Sequence, residues 1–314
     1  MQKPEDLFQR YIWLVNTFLQ ASNGITLKEL DSKWRSSQFC DGRPLSRTTF
    51  NRYREVIEEM FDIIIDCEKH HQSVYRIANP EVLRANNMQS WMLRTLTVGN
   101  ALKTSMELHE RILLEDIPSG QEYLQDIIDA MKRNHMIRIT YNRSFDTQHT
   151  LVLKPYCLKV FRQRWYVVGQ NTEYREGNIR VYALDRILTM SETDRIFAVP
   201  SNFHPESFFK NDFGVYTGGE EPVETITIRA YGKLPDFLRT LPLHHSQQEV
   251  VSTSKYTDFS YHLRPTYDFR QELLSQADEL EVLSPESFRQ EFGAILRKAA
   301  RKHRTATSPT PQEE

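Results

Sequence analysis

The sequence predicts a mixed α+β protein of several domains, because three kinds of residue pattern follow one another along its 314 residues. Apolar residues at helical spacing dominate the beginning, and alternating β-branched and aromatic residues dominate the middle. Strand-like and helix-like stretches then alternate towards the end. The order of these patterns predicts the divisions 1–80, 81–135, 136–215, 222–304 and a polar tail, 305–314, which is expected to be disordered.

Residues 1–80 have the pattern of a winged helix-turn-helix domain. Three stretches carry apolar residues on one face, and these predicted helices are Asp6–Leu19, Leu27–Trp34 and Arg47–Met60. Thr26 and Ser46 precede the second and third helices as N-cap residues. The predicted buried face of the third helix consists of Phe50, Tyr53, Ile57 and Met60. Two strand-like runs, 63–67 and 73–77, then predict a hairpin whose tip would be the wing.

The outward face of the third predicted helix carries side chains that suit DNA. Arginine binds phosphate and guanine, asparagine reads adenine, and helix-turn-helix proteins place the start of this helix in the major groove. The predicted DNA-contacting residues are Ser46, Arg47, Thr48, Asn51, Arg52 and Arg54. The alternative is a three-helix domain without a DNA-binding role, since any such domain shows apolar stripes. We favour DNA binding because the basic and amide residues share one face and one end of the helix.

Residues 81–135 predict a helical connector, which either joins domains or pairs with its counterpart in a dimer. The segment 136–190 then has 9 lysine and arginine residues against 4 acidic ones, whereas the whole chain has 40 against 42. Its alternating β-branched, aromatic and basic residues predict a small basic β-barrel. The residues expected to share one face of the run 178–187 are Arg180, Tyr182, Leu184 and Arg186. Such a patch favours an anionic ligand, although a solvated sheet face would have the same composition.

The region 222–304 alternates strands and helices after a linker that ends at Gly218–Pro222. The predicted strands are 223–230, 256–263 and 279–283, and the predicted helices are 234–241, 269–276 and 286–302. This order suggests a compact, ferredoxin-like α+β sandwich.

Several classes of protein are disfavoured by the composition. The longest apolar runs are too short for a membrane span, and the first residues lack the plan of a secretory signal, so we expect a cytoplasmic protein. The cysteines Cys40, Cys67 and Cys157 lie far apart, which argues against a disulfide framework or a metal site. The sequence lacks a phosphate-cradling glycine loop and an HExxH motif. We therefore expect no cofactor and no enzymatic activity, although a Ser-His-Asp or Cys-His site could assemble only in the fold.

Five stretches of the chain resemble the WYL-domain transcriptional regulators, and these are Ile137–Tyr141, Lys154–Tyr156, Trp165–Val167, Arg180–Ile187 and Glu281–Phe288. Valine at the third position of the signature triplet is a conservative departure from leucine. The resemblance implies a winged helix-turn-helix domain, a central WYL barrel of SH3-like or Sm-like form, and a C-terminal WCX extension. It also implies a bacterial, homodimeric regulator, often a repressor, whose barrel senses a nucleic-acid or nucleotide ligand. Some members of the family lie near anti-phage defence genes, and others activate the response to DNA damage.

The resemblance implies ligand-face residues at matching positions of this sequence, which are Tyr141, Trp165, Tyr166, Arg180 and Arg186. Charge and location add Arg162 and Arg164, in the turn before the signature. We expect Trp165 to be mostly a packing residue, and Arg186 could instead form a structural ion pair with Asp185. The predicted function is a DNA-binding regulator with a ligand-sensing barrel. The alternative is an accessory module that binds single-stranded nucleic acid and modulates an effector enzyme.

Overall fold

Two units make up the chain, Met1–Glu115 and Asp116–Glu314, and each is described by itself. The computed structural model describes residues 4–304 except positions 22, 38, 41, 70–72, 84–87, 105–109, 114, 117–119, 145–146, 176, 218 and 220. The predicted wing tip, the polar tail and part of the predicted linker fall outside the described residues. Among the described helices, none has the length and apolar character that crossing a membrane requires.

The first unit contains helices packed on a small sheet. Its elements are α1 (Pro4–Gln20), β1 (Ile25–Thr26), α2 (Leu27–Arg35), α3 (Arg47–Phe61), β2 (Ile65–Lys69), β3 (Ser73–Ile77) and α4 (Met88–Thr104). The three strands are antiparallel in the order β1-β3-β2. The helices predicted from apolar periodicity are therefore present, and their ends differ from the predicted ends by up to two residues.

Both predicted N-caps are confirmed. The Thr26 hydroxyl accepts a hydrogen bond from the Glu29 amide at 3.2 Å, and the Glu29 carboxylate accepts one from the Thr26 amide at 2.9 Å. The Ser46 hydroxyl accepts a hydrogen bond from the Thr49 amide at 3.1 Å. These contacts satisfy amide groups that have no partner inside the helix, and they fix where α2 and α3 begin.

The buried face of α3 differs from the prediction at its last position. Phe50, Tyr53 and Ile57 are buried as predicted, whereas Met60 is half-buried against the same core and Phe61 is fully buried. A spacing of four residues after Ile57 keeps the stripe aligned with a period of 3.6, whereas three residues would rotate it away. Leu93 of α4 joins the same core, so that core continues beyond residue 80.

The first half of the second unit is a five-stranded antiparallel sheet. Its elements are α5 (Leu124–Arg133), β4 (His135–Ser144), β5 (Thr147–Phe161), β6 (Arg164–Asn171), β7 (Ile179–Ala183), β8 (Ile187–Ile196) and α6 (Pro205–Phe209). The strand order is β7-β6-β5-β4-β8. The expected closed barrel is not present in the described residues, because β7 and β8 form the two edges of the sheet and do not pair with each other. A 3-10 turn, Leu184–Arg186, connects these two strands.

Both faces of β6 contribute to buried clusters. Val167 lies in the main sheet core, while Tyr166, on the opposite face, packs with Ala183 and Val215. The segment after α6 folds back over that face and buries it. The expected face of the run 178–187 is also interrupted, because β7 ends at Ala183 and the 3-10 turn changes the direction of the side chains that follow.

The second half of this unit has its own sheet, in which four antiparallel strands have the order β10-β11-β9-β12. Its elements are β9 (Glu224–Ala230), α7 (Leu234–Thr240), β10 (Gln248–Ser252), β11 (Thr257–Leu263), α8 (Tyr267–Leu274), β12 (Leu280–Ser284) and α9 (Glu286–Arg304). The strand β10 was missed in the sequence, because all five of its residues are exposed at a sheet edge and the alternation of burial is lost. With β10, the elements up to β12 follow the β-α-β-β-α-β order.

Candidate nucleic-acid interface and anion site

The N-terminal half of α3 presents polar and basic side chains away from the core. Arg47, Thr48 and Arg52 are exposed, and Asn51 is half-buried. The guanidinium of Arg52 lies 5.5 Å from the ring centroid of Tyr53, which holds it along the helix surface. The first turn of α3 contains no acidic residue, so the positive end of the helix dipole remains available to an anion.

Two of the six predicted DNA-contacting residues have other tasks. The hydroxyl of Ser46 caps α3, as described above. Arg54 is half-buried, and its Nε lies 3.8 Å from the Glu58 carboxylate one turn later. Glu58 in turn accepts a hydrogen bond from the Ile65 amide at 2.7 Å, which joins α3 to the start of β2. The structure therefore brings Arg47, Thr48, Asn51 and Arg52 together on one exposed end and sets Arg54 apart.

Two arginines predicted for the anion site are held by carboxylates. Arg164 forms a bidentate pair with Asp185, with N–O distances of 2.6 Å and 3.2 Å. The hydrogen bond to Asp185 raises the pKa of Arg164. Arg162 pairs with Glu272 of α8 and so links the β5–β6 turn to the second sheet. Each guanidinium would therefore have to break its ion pair before it could bind a ligand anion.

Arg186 does not form the ion pair with Asp185 that the sequence allowed, because Asp185 is occupied by Arg164. Its Nε donates to the Asn142 carbonyl at 2.9 Å, and its Nη2 donates to the Arg143 carbonyl. The same guanidinium lies 5.1 Å from the ring centroid of Tyr141. Arg186 therefore fastens the 3-10 turn to the end of β4.

Tyr141 and Tyr166, two aromatic residues predicted for the ligand face, are buried. The Tyr141 hydroxyl accepts a hydrogen bond from the Ala183 amide at 3.2 Å, and its ring meets Tyr182 edge-on at 5.1 Å. Burial raises the pKa of Tyr141 and of Tyr166. Trp165 is half-buried and packs against the main sheet core, which agrees with the expectation that it is mostly a packing residue. The rings of Tyr141 and Tyr166 have little surface left on which a base could stack.

A group of surface residues lies around Tyr174, and we define the Tyr174 cluster as Arg143, Tyr174 and Arg180. Arg180 was predicted from the sequence, whereas Arg143 and Tyr174 were missed. The guanidinium of Arg180 lies 3.9 Å from the ring centroid of Tyr174. Arg143 donates from Nη2 to the Tyr174 hydroxyl at 2.7 Å. The Nε of Arg180 donates to the Asn178 side chain at 3.3 Å.

The two cations of the Tyr174 cluster are oriented by a ring and by amide or hydroxyl groups. No carboxylate in the described part of the chain lies within ion-pair distance of Arg143 or Arg180. Two guanidinium groups at one tyrosine can bind a phosphate through parallel N–H groups, and their planes can also carry a base. The charge count of the central segment included Arg143, but only the fold brings β4, the β6–β7 turn and β7 together here.

The described ranges also contain histidine and cysteine residues, which can act as metal ligands or nucleophiles. No group of three or more histidine, cysteine, aspartate or glutamate side chains is arranged to hold a metal ion there. Cys157 is buried, and burial raises its pKa to about 11, so its thiol stays protonated. His244 is buried as well, with Nε2 positioned to donate to the Lys210 carbonyl at 2.9 Å.

A comparison with protein families finds a match in the second unit. A family model described as "WYL domain" matches residues 122–191, which contain the five-stranded sheet up to the middle of β8 and the whole Tyr174 cluster. No curated protein matches the chain.

Two solved structures resemble the chain weakly. The first is proteasome accessory factor B/C (PafBC) of Arthrobacter aurescens, with 21% identity and a TM-score of 0.41 over 99% of this chain and 48% of that chain. The second is a CRISPR Cas-related protein, with 13% identity and a TM-score of 0.38 over 97% of this chain and 86% of that one. The chain thus spans about half the length of the PafBC chain. At these TM-scores neither likeness establishes a common overall fold, and the family match shows a WYL domain over residues 122–191 alone.

Proposed function

We propose that the chain is a DNA-binding transcriptional regulator whose first unit reads duplex DNA through α3. The observation that carries this proposal is the exposed end of α3, where Arg47, Thr48, Asn51 and Arg52 surround a capped helix start that has no acidic residue. Phosphate binds well at a helix start, and arginine and asparagine supply base recognition. The helices α2 and α3 and the β2–β3 hairpin have the order of a winged helix-turn-helix domain.

The WYL domain is proposed to bind a nucleotide-like anion at the Tyr174 cluster. Arg180 was predicted for this task, and Arg143 and Tyr174 extend the site. Arg162 instead joins the sheet to α8, and Arg164 and Arg186 hold the 3-10 turn in place. Tyr141, Trp165 and Tyr166 pack in the clusters on the two faces of the sheet. The WCX extension of the family would correspond to the sheet β10-β11-β9-β12 with its helices.

Ligand binding is proposed to change the affinity for DNA. This requires that the ligand bind the DNA-competent arrangement and the incompetent one with different affinities. A homodimer that contacts two half-sites is the usual solution for helix-turn-helix proteins, and we propose it here. Repression is the mode that the resemblance favours, and the sign of the ligand effect is left to the titration below.

Selection from a random duplex library by the full chain tests the DNA-binding proposal. We expect a recurring sequence motif, and we expect Arg47→Ala combined with Asn51→Ala to abolish its enrichment, since each well-placed base contact contributes about 1–3 kcal/mol. A matched control is Lys28→Ala combined with Asn23→Ala, outside α3. If the unchanged chain and both variants all bind single-stranded DNA more tightly than duplex DNA, the proposal of a regulator is refuted and the accessory module is favoured.

Titration of the complex with the selected duplex tests the ligand proposal. The probes are inorganic phosphate, the dinucleotide pApA and a single-stranded DNA 10-mer. We expect at least one nucleotide probe to shift the DNA affinity of the unchanged chain and to lose that effect with Arg180→Ala. Arg175→Ala is the matched control, because Arg175 is exposed in the β6–β7 turn and does not belong to the Tyr174 cluster. Equal responses of the Arg180 and Arg175 variants would exclude the Tyr174 cluster as the sensing site.

A further inference from the structure

The last two turns of α9 form a cationic helix surface that the overall charge of the region conceals. Residues 191–314 contain 14 lysine and arginine residues against 19 acidic ones, yet 5 of these 14 cations lie within residues 297–304, which contain no acidic residue. We define the α9 basic face as Arg297, Lys298, Arg301, Lys302 and Arg304. Every residue of 297–304 is exposed.

The anchoring of α9 ends before this surface begins. Phe288 and Phe292 are buried in the core of the second sheet, and Leu296 is the last apolar residue of α9 that packs against that core. The acidic residues of α9 lie in its first half, where Glu291 pairs with Arg270 at 2.9 Å. From residue 297 onward, the positions three and four residues away on the helix offer no carboxylate to the cations.

The five cations have a helical arrangement and a charge density that suit a polyanion. At 3.6 residues per turn they fall within a sector of about 160°, and the remaining sector holds two alanines and His303. From Arg297 to Arg304 the helix rises about 10 Å, a length over which duplex DNA carries about six phosphate charges. The sector opposite the cations has no bulky apolar residue that could enter a lipid surface.

We propose that the α9 basic face binds the phosphodiester backbone of nucleic acid without reading its sequence. Lysine and arginine on one helix face replace condensed counterions at phosphates, and this contact is independent of base identity. Stabilisation of the helix dipole needs cations only in the last turn, whereas Arg297 and Lys298 lie further from the end. This site is separate from α3, and its existence does not depend on sequence-specific recognition by the first unit.

Salt-dependent binding of a random-sequence duplex tests the proposal. The full chain carries Arg47→Ala and Arg52→Ala in every sample, so that contacts from α3 do not enter the comparison. We would measure the anisotropy of a fluorescein-labelled duplex of 30 base pairs between 50 and 300 mM KCl. The test variant is Lys298→Gln with Lys302→Gln, and the control is Lys233→Gln with Lys255→Gln. The control removes the same charge from exposed connections that flank the second sheet, before α7 and between β10 and β11.

We expect the test variant to lower the slope of log K against log salt by about 0.9 for each lost phosphate contact. At 0.1 M salt this corresponds to a loss of affinity of about 8-fold for one contact and about 60-fold for two. Charge reversal at the same two positions should weaken binding further, with an unchanged circular dichroism spectrum. If the slopes and affinities match those of the Lys233 and Lys255 control within twofold, the proposal is overturned. This holds also if the α9 variants lose binding to an acidic peptide while their binding to DNA is unchanged.

Discussion

Tyr141 is buried and Tyr174 is partly exposed. Phenylalanine substitutions at the two positions should therefore distinguish a role in stabilising the fold from a role in binding the ligand. Tyr141→Phe keeps the ring against Tyr182 but removes the hydroxyl that accepts the Ala183 amide. A buried amide left without its acceptor costs about 1–3 kcal/mol, so the second unit should lose that much free energy of unfolding. Tyr174→Phe removes a partly exposed hydroxyl and should change the stability by less than about 0.5 kcal/mol.

The assay uses Trp165, which is the single tryptophan of residues 116–314. Incorporation of 5-fluorotryptophan gives the full chain four fluorine resonances, and Trp165→Phe assigns the one that reports the sheet. Urea titration of that resonance yields the stability of the sheet apart from the first unit. The ligand response should show the opposite pattern, because Tyr174→Phe releases Arg143 from its partner. A stable Tyr141→Phe variant that has lost its ligand response would refute our division of the two tyrosines.

Three further predictions concern the caps, the buried histidine and one turn. Ser46→Ala should lower the free energy of unfolding of the first unit by about 1 kcal/mol, whereas Ser46→Asp should keep the cap and leave that free energy unchanged. Differential scanning calorimetry would measure both. Burial lowers the pKa of His244 to about 4, so the second unit should be fully stabilised above pH 6.5 and lose roughly 3 kcal/mol as the pH falls towards 4. His244→Gln should flatten that decline in the Trp165 urea assay. Gly120→Ala should cost about 2–5 kcal/mol, because φ is 66° and a Cβ would lie 2.2 Å from the Asp185 amide nitrogen. Gly177→Ala has the strain without the clash, and the same assay should show a loss of only about 1–2 kcal/mol.

Local signals in the sequence were sufficient for the first unit. A cap at Ser46 and an apolar stripe from Phe50 to Ile57 both act within a few residues, so the start and the orientation of α3 follow from them. The exposed end with Arg47 and Arg52 is then a geometric consequence of burying the other face. Met60 lies at the margin of the core and Phe61 lies inside it, because one residue changes the direction of the side chain on a helix by about 100°.

Ion-pair partners that are distant in the sequence determine which of the predicted arginines are available to an anion, and the sequence alone does not identify those partners. Arg164 and Asp185 are 21 residues apart, and Arg162 and Glu272 are 110 residues apart. Counting charges treats each of these arginines as available to a ligand, although an ion pair within the fold neutralises two of them. The same averaging concealed the α9 basic face inside an acidic region. Composition therefore located a cationic domain correctly but could not assign the task of each cation.

The family signature in this chain supports the architecture of the site more than its chemistry. Trp165 and Tyr166 pack on opposite faces of β6, which fixes the strand between two cores. Arg186 spans from the 3-10 turn to the end of β4, and the Arg143 carbonyl that it binds belongs to a residue of the Tyr174 cluster. An anion that draws Arg143 towards itself would thus act on the backbone that holds Arg186 and, beyond it, on the turn that carries Asp185. Asp185 in turn holds Arg164 beside the β5–β6 turn, and Arg162 of that turn pairs with Glu272 of α8. The contacts that a ligand would disturb therefore form a continuous series from the WYL domain to the helix that packs on the second sheet.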